Sequence, residues 1–220
     1  MSSFSALGEM ERPLTEYQPE RNGRLLSVSL PAPDLTPGRF LALAAGSERV
    51  YWRDGSGNET YAGMGAALDI FGYGDNRYRT VERQARELFA QATIETDCAL
   101  AAPRLFGGFA FSDDFIPDVA WSAFHPAHFI LPHYQLVCYN GESWLTINAL
   151  IPDGESMAEA RVGLQEALAD RLVMLQNETC QVSENLAGLA PEIDYPLTYA
   201  EWEQMIETAC TAFASTALKK

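Results

Sequence analysis

Basic side chains are scarce in this chain: 15 lysines and arginines stand against 30 aspartates and glutamates, a formal charge of −15. A surface this acidic repels phosphate backbones and anionic membranes, which argues against nucleic acid as a partner. It would equally repel a small anionic substrate unless a local cation or metal reverses the field. Long apolar runs are also missing. The longest, "FLALAA" and "HFILPHYQLVCY", fall short of the ~18 residues a membrane-spanning helix needs. The opening segment, "MSSFSALGEMERPLTEYQPE", carries glutamates and no apolar core, so it is not expected to be a signal peptide. A cytoplasmic location without membrane attachment is the expectation. Cysteine is sparse: Cys98, Cys138, Cys180 and Cys210 lie far apart with no C-x-x-C pair. They are expected to be reduced, mostly buried thiols, with neither disulfide nor zinc roles. No internal repeat and no low-complexity segment is found.

What the chain does contain is an ordinary globular mixture, 47% hydrophobic and 20% charged over 220 residues, enough for a sizeable core. Residues 1–23 form a polar N-terminal tail, and residues 24–220 are expected to form one folded region. "RLLSVSLPAP" alternates apolar and small polar residues before prolines, the pattern of an edge strand. "RFLALAAGS" suits either a short helix or a strand. "RVYWRD" and "ETYAGMG" flank "GSGN", which predicts a β-hairpin. "DNRYRTVERQARELFAQATI" places Tyr78, Val81, Ala85, Leu88, Phe89 and Ala92 at helical spacing. Three strands follow, "RLFGGFAFSDD", "AHFILPHYQLVCYNG" and "SWLTINALIPDG", the last two joined by a turn at "YNGES". A long helix over "ESMAEARVGLQEALADRLVMLQN" precedes a polar linker, "ETCQVSENLAGLAPEIDYP". The last helix starts at Thr198, with Glu201 completing a capping box. Its apolar face carries Trp202, Met205, Ile206, Ala209, Phe213 and Ala217. The pattern predicts an α+β fold of mainly antiparallel sheets with flanking helices.

Several constellations could carry chemistry. His125, His128 and His133 cluster in "FHPAHFILPHYQL" and suggest a metal site. On a strand, however, residues 128 and 133 point to opposite faces, and no cysteine or carboxylate stands nearby at ligand spacing; loop and strand-end histidines account for them better. Gly107 and Gly108 lack the phosphate-loop pattern and sit inside an aromatic strand, where glycine marks a bulge or the close approach of another backbone. Asp113 and Asp114 could form an acid/base pair or simply a solvated strand end. Asp75 or Asn76 would cap the following helix.

Taken in order, "RLLSVSLPAPDLTPGRFLAL", "RVYWRDGSGNETYAGMGAALDIFG", "APRLFGGFAFSDD" and "HFILPHYQLV" resemble the N-terminal half of isochorismate synthases. These belong to the chorismate-utilising enzymes, with anthranilate and salicylate synthases as relatives. The resemblance runs from about Arg24 to Lys220 and is weak at 113–127 and 176–197. It implies an isomerase that converts chorismate to isochorismate with Mg²⁺, for menaquinone or siderophore synthesis. It aligns Lys220 with the family's general-base lysine, which activates water for attack on the chorismate ring. A lysine at its ordinary value near ~10.4 is protonated at neutral pH and a poor base; desolvation in a closed site lowers that value. The alternative is that Lys219 and Lys220 form a solvated helix end favoured by the helix dipole. In the family the general acid, the Mg²⁺ ligands and most substrate contacts lie downstream of this lysine. The chain is therefore expected to be an N-terminal fragment, inactive alone and marginally stable. The start of the chain lacks the "LLES"-like element with which anthranilate synthases bind tryptophan, which favours isochorismate synthase over them. A non-catalytic binding module that keeps the family's N-terminal fold is the rival reading.

Overall fold

Alternation along "RLLSVSLP" sets the first strand, β1, over Arg24–Pro31. Leu26 and Val28 enter the core on one face, while Leu25 and Ser27 are buried on the other. The computed structural model describes residues 23–112, 115, 119, 121–177 and 196–215. They fall into two units, Met1–Cys180 and Gln181–Lys220. Residues 1–22 of the expected tail over 1–23, residues 178–195 of the expected linker over 178–196, and Ala217 lie outside the described residues.

In the first unit, Thr36 caps the helix α1, Pro37–Ala42, with Pro37 in its first turn. This resolves "RFLALAAGS" as helix, since a proline with preset φ favours that position. The hairpin of β2 (Arg49–Arg53) and β3 (Glu59–Gly72) follows as expected. Asp54 organises its loop by accepting the amide of Glu59 at 2.9 Å. β3 runs well beyond the expected "ETYAGMG", and its register to the next partner shifts between Ala66 and Leu68. Helix α2, Arg77–Ala90, buries Val81 and Leu88. Tyr78, placed on that buried face by its spacing, is instead 46% exposed.

The expected helix through Ile94 is corrected: Thr93–Glu95 form a short strand, β4, parallel to β1. Two successive β-branched residues suit that pleated edge better than another helical turn. After a 3₁₀ turn at Ala99–Ala101 come β5 (Phe106–Phe109), β6 (Ala127–Tyr139) and β7 (Glu142–Ile151). Asn140 and Gly141 join the last two strands with φ of 49° and 85°, the left-handed pair a two-residue hairpin turn requires. Helix α3, Met157–Asn177, closes the unit.

Among the described residues, seven strands form one sheet in the order β2-β3-β6-β7-β1-β4, with β5 added beside the first part of β6. Every pairing is antiparallel except β1–β4. The fold is α+β, as expected. β1 is not an edge strand, however: β7 pairs along its whole length and β4 lies on its other side. Its prolines do not forbid this, because Pro31 is its last residue and interrupts no ladder. One sheet face packs Phe40, Met64, Leu136, Leu145, Leu168 and Leu175 between α1, α3 and the strands. The other packs Leu88 and Val81 of α2 against Leu131 and Ile70.

Cysteine burial also departs from expectation. Cys98 and Cys138 are half-buried and Cys210 is exposed; Cys180 lies outside the described residues. In the second unit, helix α4 spans Tyr199–Ser215. The Glu201 carboxylate accepts the Thr198 amide at 2.8 Å, and the Thr198 hydroxyl accepts the Glu201 amide at 3.4 Å. That reciprocal pair is the expected capping box.

Candidate functional site

The residue expected to carry catalysis, Lys220, lies outside the described residues, as do Lys219, Asp113 and Asp114. Of the two expected caps of α2, Asn76 holds the position but makes no side-chain hydrogen bond there.

The three histidines are described; the sheet separates His133 from the other two, whose rings lie 5.6 Å apart. β6 sends His128 and His133 to opposite faces, as five residues of strand require. His133 donates from Nδ1 to the carbonyl of Asn148 at 3.0 Å, a carbonyl being able only to accept. His128 Nε2 lies 2.6 Å from Asp69 Oδ1, and its ring stacks on Phe71 with centroids 4.5 Å apart. The His125 ring meets Phe71 edge-on at 4.7 Å, and the Tyr73 hydroxyl lies 3.2 Å from His125 Nδ1. Among the described residues no group of three histidine, cysteine or acidic side chains is placed to hold a metal ion. What the arrangement can do is orient an imidazole. Asp69 fixes the His128 ring plane, and Phe71 covers one of its faces.

Asp69 went unnoticed in the sequence. It reaches His128 because Phe71 pairs with His128 and Asp69 with Ile130, two steps along the same face. That register exists only after β3 takes in one extra residue beside Pro132, a shift that the alternation of the strand does not announce.

A second polar group lies on the opposite sheet face, buried. Ser27 donates to Asn148 Oδ1 at 2.7 Å, and Asn148 Nδ2 donates to Pro132 O at 2.8 Å. Gln135 donates to Ala102 O at 3.0 Å and accepts the Arg104 amide at 3.1 Å. Thr146 donates to Ala101 O at 2.8 Å. Each of these side chains satisfies a backbone group or another buried side chain, as burial demands. Together they clamp residues 101–104 to the sheet and so set where β5 begins. Nearby, Tyr61 donates to Glu59 at 2.6 Å under the Arg104 guanidinium. Burial first, and that carboxylate second, push its phenol well above the ordinary tyrosine value.

The start of β5 is where the resemblance places one of its specific pieces, "FGGFAF". Gly107 shows why glycine stands there. A side chain at this position would overlap the His128 carbonyl and come within 2.6 Å of the Phe129 Cα. The expected close approach of another backbone is therefore real.

Comparison with known proteins supplies the family. No curated protein matches the chain. Among solved structures, it is similar to MenF, the menaquinone-specific isochorismate synthase from Escherichia coli, with 18% identity and a TM-score of 0.44. That match covers 90% of this chain and 39% of MenF, so the chain spans well under half of that protein's length. The description "Chorismate binding enzyme" belongs to a family model that matches residues 12–220, a span that takes in the sheet, both of its faces and helices α1 to α4. On that match, the chain belongs to the chorismate binding enzyme family.

Proposed function

We propose that this chain is the N-terminal part of an isochorismate synthase, the isomerase that converts chorismate to isochorismate. The observation that carries the reading is the family match over residues 12–220, together with the ordered resemblance of the hairpin, "YAGMGAA" and "FGGFAF" segments to that subgroup. The described part then acts as scaffold. Its sheet, locked by the buried polar clamp, supports a reaction centre built largely by the rest of the enzyme.

Lys220 is assigned the role of general base. As a neutral amine it takes a proton from water while the water oxygen bonds to the chorismate ring. The hydroxyl that departs receives its proton from an acid outside this chain. Desolvation supplies the neutral amine by disfavouring the ammonium form. Magnesium is part of the proposal for the complete enzyme, where it would offset the charge of a dicarboxylate. The described residues offer no set of ligands for it.

The test assays chorismate turnover by chromatography with two proteins: the 220-residue chain, and the product of the reading frame continued past the Lys220 codon. Isochorismate from the longer product alone is the expected result, with Lys220→Ala lowering its rate by about 10²-fold or more. Anthranilate or salicylate as product overturns the isochorismate assignment. Turnover by the 220-residue chain overturns the scaffold role. A stop codon directly after Lys220 hands the case to a stand-alone binding module.

A further inference from the structure

The loops closing the two hairpins meet at one end of the sheet. Glu59 pairs with Tyr139, and the Asn140 amide donates to Asn58 O at 3.3 Å. With α1 as a wall, they enclose an open pocket of about 580 Å³, inside the usual size range of small-molecule sites. Its floor is a single row of the sheet. Arg53 pairs with Thr60 and Thr60 with Cys138, so all three side chains leave the same face. Tyr51, two residues before Arg53 and so on the same face, lines it with the apolar edge of Leu41, and the backbone of residues 139 and 141 closes it.

The electrostatics of this pocket run against those of the chain. None of its lining residues is acidic, although the chain carries −15. Arg53 makes one long hydrogen bond, 3.3 Å to Gly57 O, and no ion pair among the described residues. Most of its donors therefore remain open to an anion, and a guanidinium fork matches a carboxylate in both geometry and charge. The Cys138 thiol adds no competing negative charge. Burial pushes it up, against a smaller opposing effect of the Ser143 hydroxyl that donates to it at 3.2 Å.

We propose that this pocket binds a small organic anion, a carboxylate carried on a flat ring, with Arg53 holding the carboxylate and Tyr51 flanking the ring. The site lies at the other end of β6 from the Asp69–His128 pair, and the inference does not depend on chorismate turnover.

The experiment titrates the 220-residue chain with 4-hydroxybenzoate and follows backbone amide shifts by NMR. Benzyl alcohol and inorganic phosphate serve as probes of ring and anion alone. Saturable shifts confined to Gly57, Asn58 and residues 139–141 are expected, with affinity falling about tenfold or more in Arg53→Gln and less in Arg53→Lys. The amide spectrum of each variant verifies that the sheet is intact. Shifts that fail to saturate below about 10 mM overturn the site, and so do shifts elsewhere or an unchanged affinity in Arg53→Gln. Equal affinity for benzyl alcohol overturns the anion requirement, and equal affinity for phosphate overturns the ring requirement.

Discussion

Gly107 and Gly108 are neighbours in one strand, yet the sheet constrains only the first. A methyl group at Gly107 would be driven into the backbone of His128 and Phe129, whereas one at Gly108 meets nothing within 4 Å. Backbone cannot yield as the end of a long side chain can. Gly107→Ala is therefore expected to destabilise the chain by more than ~2 kcal/mol, and Gly108→Ala to stay within ~0.5 kcal/mol of the parent. Urea melts with matched slopes would show this, and equal losses would disprove the β5–β6 register. Gln135 offers a second residue-scale test. Gln135→Leu keeps the volume but strips the partners from Arg104 N and Ala102 O. Each unsatisfied buried group costs ~1–3 kcal/mol. The Arg104 amide should then exchange with solvent far faster than in the parent; an unchanged rate would mean that the clamp does not hold the segment.

At the scale of elements, α4 shows how a sequence signal becomes a titration. Hydrogen bonds from the Thr198 amide, then from its hydroxyl, hold the exposed Glu201 carboxyl below its ordinary value of 4.5. A carboxylate depressed in this way supports its helix end above the unfolded value, and that support is lost as pH falls through the lower folded value. In a carbon-detected NMR titration Glu201 is expected to have a midpoint below 4.5, and Thr198→Ala should raise it; a midpoint indifferent to that change would remove the capping box. The box was legible because it needs only residues three apart. The hairpins were legible for the same reason, through "GSGN" and "NG". What escaped detection depends on distant partners. Thr93 and Ile94 follow directly on the helical spacing that ends at Ala92, and become strand only by pairing with β1. The prolines after β1 suggested an edge, though the strand lies inside the sheet because Pro31 falls at its end. Asp69 and His128 meet through a register shift in β3 that no local pattern encodes. Of the candidate site, the sequence reading captured the opposite-facing histidines and the tight approach at Gly107, but not the carboxylate that orients His128.

At the scale of the whole molecule, charge and exposed aromatic surface oppose each other. Beyond β5 the Ala110 amide still donates to Pro126 O at 2.7 Å, which brings the segments carrying Phe111 and Phe124 side by side. Phe111 is fully exposed, and Tyr78, Phe109, Trp121 and Phe124 are each between 39% and 57% exposed. Tyr78 packs on Phe109, and Trp121 on Phe124, with ring centroids 4.5 and 5.1 Å apart. Removing such side chains from water is worth ~1.5–3 kcal/mol each, enough to drive association when several act together. The charge of −15 resists it, but salt shortens the reach of that repulsion to ~3 Å at molar ionic strength. The 220-residue chain is thus expected to gain mass by light scattering as salt and protein concentration rise. The double change Phe111→Ser and Phe124→Ser should hold it closer to the monomer under the same conditions, without lowering its melting temperature, since neither ring is buried. A monomeric mass at every salt concentration would show that this surface is too small to associate. Association undiminished in the double variant would place the contact elsewhere on the molecule.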